Sequence, residues 1–123
     1  MGEQTDIAGL IERLEAATGP SEELDEAVWV AATPGATRRM PRILVRLPKY
    51  TALIDAAITL IEGRILGAYV GLQKNRRRSR QDNWSGWIET ASASGENRLV
   101  EATHTTPAIA LLIALLRTLE TEQ

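Results

Sequence analysis

The side chains best equipped for chemistry crowd into one short stretch: Arg76, Arg77, Arg78, Arg80, Trp84 and Trp87. The run Lys74-Asn75-Arg76-Arg77-Arg78-Ser79-Arg80 falls between two segments that read as strands, so it projects as a hairpin loop. Loops on a rigid sheet are where binding groups often sit. Guanidinium groups there would grip phosphate oxygens bidentately, with Asn75, Ser79 and Asn83 adding hydrogen bonds. Trp84, at the loop base, offers a ring on which a nucleobase can stack. The alternative is a solvated tip that keeps the sheet soluble. Trp84 and Trp87 stand three apart, which on a strand places them on opposite faces. One then turns to the core and the other to solvent or a subunit interface. Trp29, off the best apolar stripe of its helix, is a further interface candidate, although for each tryptophan a place in the core is the stronger expectation.

Other reactive types lead nowhere as specific. The chain has one histidine, His104, and no cysteine, so disulfides, thiol nucleophiles and thiolate metal sites are excluded together. Glu96 and Glu101 near His104 do not form a metal-ligand spacing, and no metal site is expected. A general-base role for His104 beside Thr103, Thr105 or Thr106 lacks a third member and an oxyanion device, so a structural histidine before a helix is the expectation. Glu22, Glu23, Asp25 and Glu26 sit in a helix's first turn, where the macrodipole and solvation account for them. Gly67, Gly71, Gly86 and Gly95 match no phosphate-loop or dinucleotide fingerprint. The expectation is a protein that is not an enzyme and carries no cofactor.

The elements that must position these groups follow from composition and periodicity. At 123 residues and 13.5 kDa the chain is one domain, and roughly two-thirds of its unfolded surface should disappear on folding. Apolar residues make up 44% with no phenylalanine, so Leu, Ile, Val and Ala must build the core. The net charge of −2 hides segregation. Residues 1–35 hold eight acids against Arg13, whereas residues 36–83 hold eleven bases against Asp55, Glu62 and Asp82. Blocks of this kind steer an anion, dock two subunits or neutralise one another. The acidic N-terminus lacks a secretory n-region, and the apolar run from Ala108 to Leu116 is about half the roughly 20 residues of a membrane span. The expected location is the cytoplasm, without membrane association.

A helical N-terminal part spans 6–33. Asp6 caps a first helix with Ile7, Leu10, Ile11 and Leu14 on one stripe, and Gly19-Pro20 ends it. Ser21 caps a second, with Leu24, Ala27, Val28 and Ala31 inward. Residues 34–48 read as a loop, with a short edge strand at 43–47 bounded by Pro41 and Pro48. A helix over 50–62 follows, capped by Thr51 and stopped by Gly63, with Leu53, Ile54, Ala57, Ile58 and Ile61 inward. Residues 64–104 form the sheet: strands at 64–73, 84–91 and 98–103, with a turn at 94–97. The last helix, 106–120, opens with Thr106 at the cap and Pro107 at the first position. Apolar on nearly every side until Arg117, it should lie between two covering layers. The fold class is α+β: a small antiparallel sheet of three to four strands packed with about four helices, an α/β/α-type sandwich.

The order of these segments resembles the phage ABA sandwich domain family of small phage and prophage proteins. Four stretches carry the resemblance: Leu10-Ile11-Glu12-Arg13-Leu14-Glu15-Ala16-Ala17-Thr18-Gly19-Pro20-Ser21 with Glu23-Leu24-Asp25; Tyr50 to Ala57; the strand at Trp84–Trp87; and Ala102-Thr103 through Thr106-Pro107-Ala108-Ile109-Ala110-Leu111. The arginine run departs from the compact Pro- or Trp-rich segment usual there. The resemblance implies a sheet packed between helices, a phage or prophage origin and an accessory role in the bacterial cytoplasm, and it brings no catalytic residues. The expected function is a binding protein that counters host defence as a sponge, sequestering a small cyclic nucleotide signal. Alternatives are an inhibitor of a host defence complex or a phage assembly factor, acting on a protein partner, and nucleic-acid binding through the basic hairpin. The last is disfavoured by a pI near 5.5. A homo-oligomer is expected throughout, since sheet edges, Trp side chains and complementary charge blocks invite self-association.

Overall fold

The computed structural model describes residues 6–33, 48–65, 67–75, 83–91 and 97–121. Its elements run α1 (Ile7–Ala16), α2 (Glu22–Ala32), α3 (Ile54–Arg64), β1 (Tyr69–Asn75), β2 (Asn83–Ala91), β3 (Asn97–His104) and α4 (Pro107–Thr121). The fold is α+β, with four helices and one three-stranded antiparallel sheet in the order β1-β2-β3 among the described residues. The expected edge strand at 43–47 and the arginine loop lie outside the described residues, as does most of the 94–97 turn.

Helix starts follow the side-chain chemistry. Asp6 Oδ1 accepts from the Gly9 N–H at 3.0 Å and Ser21 Oγ from the Leu24 N–H at 3.3 Å, each satisfying a first-turn donor that the helix leaves unpaired. The stripe Ile7, Leu10, Ile11 and Leu14 is buried as its spacing requires. At α4, Pro107 occupies the first position and the Thr106 carbonyl accepts from Ala110 N–H.

α4 is the middle layer. Residues Ala108 to Leu116 are wholly inaccessible: one side packs on β2 and β3, the other on α1 and α3. The helix is apolar all round because both its sides face protein. The sandwich is therefore layered sheet, α4, then α1 to α3, with the helix rather than the sheet between two layers among the described residues. Close contact with the sheet depends on Gly86, where a Cβ would lie 3.0 Å from the Leu111 backbone nitrogen and 3.2 Å from the Ala110 carbonyl carbon. Alternation then fixes the face toward α4: Val70 and Leu72 on β1, Trp84, Gly86 and Ile88 on β2, Val100, Ala102 and His104 on β3.

Two boundaries differ from expectation. α3 begins at Ile54 rather than 50, because Lys49 to Leu53 form a turn in which the Ala52 and Leu53 N–H groups both bond the Lys49 carbonyl. Gly63 does not stop it. The helix runs through Arg64, and Gly67, at φ 76°, makes the left-handed reversal into β1, so the first strand starts at Tyr69 rather than 64. Leu53, expected inward, is left exposed by the shifted start.

Candidate functional site

The hairpin end of the sheet is built by register. Lys74 on β1, Trp84 on β2 and His104 on β3 form one row on the α4 side, and the ladder closes at Asn75↔Asn83. Lys74 Nζ lies 5.9 Å from the Trp84 ring centroid, within cation–π range. Trp84 is half-buried and Lys74 exposed. The chain leaves the sheet at Asn75 and returns at Asn83, and between them lie Arg76, Arg77, Arg78 and Arg80, outside the described residues.

Trp87 does not join this group. Its position on β2 faces away from α4, and its indole lies flat across Gly71, where even a Cβ would collide with the ring. Trp84 and Trp87 therefore take opposite faces of β2, and the other members of the expected set, Arg76, Arg77, Arg78 and Arg80, lie outside the described residues. On the Trp87 face, Tyr69 and Leu99 flank Glu89 in one row and are 76% and 61% exposed. No described element covers that face. Trp29 packs against the core at half-burial.

His104 is a structural staple. Its Nδ1 accepts the Thr106 N–H at 2.9 Å, and its Nε2 lies 2.9 Å from the Ala17 carbonyl, which only a protonated Nε2 can satisfy. The neutral Nε2–H tautomer thus ties the end of α1 to the start of α4. With both nitrogens engaged, the ring is not positioned as a general base.

A second polar centre escaped the sequence reading. Asp25 is only 6% exposed, and its Oδ1 accepts the Thr51 N–H at 2.7 Å and the Thr51 hydroxyl at 2.6 Å. Thr51 Oγ1, itself wholly buried, accepts the Ser21 N–H at 2.9 Å. Thr51 therefore joins the start of α2 and does not cap α3, whose first residue has no side-chain cap. Solvation does not account for Asp25. The available signal was its place on the stripe Asp25, Val28, Ala32, at i, i+3 and i+7. Neighbouring Tyr50 is buried, and burial first, then the negative charge of Asp25, pushes its phenol above the usual value of 10.0.

Among the described residues no helix is long and apolar enough to cross a membrane, and no group of three or more His, Asp and Glu side chains is placed to hold a metal ion. The chain matches no family model, no curated protein and no solved structure.

Proposed function

We propose that this chain is a phage- or prophage-encoded, non-enzymatic binding protein that counters host defence by sequestering a small cyclic nucleotide at the hairpin end of its sheet. The observation that carries the reading is the Lys74 ammonium 5.9 Å from the Trp84 ring, at the strand ends that bracket the arginine segment. A nucleotide is the ligand class that answers both halves of this arrangement. Its base stacks on Trp84, and its phosphates take Lys74 and the guanidinium groups of Arg76, Arg77, Arg78 and Arg80. Sequestration needs no proton transfer, which suits a site whose nearest titratable ring, His104, is already committed to two hydrogen bonds. The phage origin and the bacterial cytoplasm rest on the resemblance of the four sequence stretches.

The protein purified natively should carry ultraviolet absorbance or an extractable small molecule of nucleotide type. Failing that, a cyclic-nucleotide panel should raise its melting temperature. Ligand at 100 times Kd adds roughly 2.7 kcal/mol, on the order of 10 °C for a domain of this size. A ligand-free protein that ignores the panel overturns the reading. A second reading, docking on a protein or on a second copy, is favoured by the exposed Tyr69 and Leu99 on the Trp87 face of the sheet. Light scattering and retention of a host protein through purification would test it.

A further inference from the structure

The face of the sheet turned away from α4 combines an aromatic ring with two unpaired acids. Trp87 stands on β2 with one side of its indole resting on Gly71 of β1, and it keeps part of its surface exposed. Glu101 on β3 is its register partner, and Glu89 follows two residues along β2 on the same face. Glu89 is half-buried and Glu101 exposed, and among the described residues neither carboxylate has a hydrogen bond or ion pair. Arg117 does not serve them: it donates to the backbone carbonyl of Glu101 at 3.0 Å and pairs with Glu15 at 3.7 Å. The described cations of the strands, Lys74 and Arg98, fall on the α4 face. Exposed Tyr69 and Leu99 flank Glu89, about 10 Å apart across two strand spacings. The face therefore asks for a cation with apolar groups on either side of it.

We infer that this face takes an arginine of another protein, presented on a short segment between apolar side chains. The inference rests on the second reading above, docking on a protein, and names the partner's chemistry. The guanidinium stacks on Trp87 and gives its N–H groups to Glu89 and Glu101, while the flanking apolar groups pack on Tyr69 and Leu99. Lysine would bring a point charge without a plane, so arginine is the better match. A small cation alone would leave Tyr69 and Leu99 unfilled. A second copy of the same face does not suit, because an isologous contact sets acids against acids. The footprint, three strands of seven to nine residues, is also too small for a stable dimer. At roughly 15 by 25 Å it falls well short of the about 800 Å² that each partner of a standard interface buries.

The test is selection of a displayed random-peptide library on the immobilised full chain, followed by titration of the enriched peptides into variants. Enriched peptides should carry arginine next to apolar residues. Glu89→Gln with Glu101→Gln keeps the shape of the face and removes both charges, and it should weaken those peptides by about tenfold, the worth of two exposed ion pairs. Trp87→Leu should weaken them by about two- to fivefold, the worth of an exposed cation–π contact. Should Trp87→Leu fail to fold, the glutamine pair decides. Peptides that lack arginine, or that bind the glutamine pair as well as wild type yet are lost in Tyr69→Ser with Leu99→Ser, would keep docking on this face and overturn the arginine partner. No enrichment over bare resin would overturn both. Light scattering supplies the last outcome: a dimer abolished by Tyr69→Ser with Leu99→Ser would make the occupant a second copy and overturn the proposal.

Discussion

Thr51→Val is the sharpest probe of how α2 is joined to the lead-in of α3. The side chain is wholly buried and nearly isosteric with valine, so the substitution removes hydrogen bonds and little volume. Two bonds go at once. The hydroxyl's 2.6 Å bond to the Asp25 carboxylate is charge-assisted, and losing such a bond costs about 1.5–3 kcal/mol. The Ser21 N–H loses its 2.9 Å acceptor. Being only part-buried, it can recruit water, so its share lies near the low end of about 1–3 kcal/mol. The Thr51 N–H keeps its 2.7 Å bond to Asp25, so the carboxylate is not stranded. The sum is about 3 kcal/mol, or roughly 12 °C in melting temperature for a domain of this length. Urea unfolding followed by circular dichroism gives the free energy, and the m-value should stay unchanged. Thr59→Val is the control: its hydroxyl makes only an exposed bond within α3, and the cost should stay within about 0.5 kcal/mol. A double-mutant cycle with Asp25→Asn should return a coupling of about 1–3 kcal/mol. A Thr51→Val loss below about 1 kcal/mol would refute the buried network as a structural joint.

Gly86→Ala should lower stability by about 1–3 kcal/mol in the same assay, because its Cβ meets the α4 backbone, which cannot swing aside as a side chain can. His104→Ala orphans the Thr106 N–H and the Ala17 carbonyl and should cost about 2–3 kcal/mol, measured by thermal unfolding. Tyr50 gives a pH dependence. Its folded-state phenol holds its proton more tightly than the unfolded chain does, so this contribution is whole below pH 10.0 and is lost as pH rises above it. Urea melts across that range should show an alkaline decline that Tyr50→Phe reduces.

Local signals carried much of the fold. Asp6 and Ser21 cap as their side chains predict, Ile7, Leu10, Ile11 and Leu14 are buried, and the all-round apolarity of α4 announced a helix with protein on two sides. Period-2 alternation placed Trp84 and Trp87 on opposite faces, and the structure keeps them there. What failed was tertiary. Thr51 looks like a cap for the helix that follows it, but Asp25, 26 residues earlier, takes its N–H and hydroxyl and delays α3. Gly63 and Gly67 are equally good helix stops by type, and only the path into β1 chooses the second. At the site, spacing could name Lys74, Trp84 and the arginines but not the pairing of Lys74 with Trp84, which depends on strand register.

Isothermal titration of a cyclic-nucleotide panel into the wild-type chain, Trp84→Ala and Trp87→Ala tests the central claim most directly. The account predicts tight binding of at least one nucleotide by wild type and its weakening by about 1–3 kcal/mol in Trp84→Ala, the worth of one stacked base. Trp87→Ala, altered on the opposite face of β2, should bind like wild type. Undiminished binding by Trp84→Ala, or no binding of any panel member by wild type, would contradict it.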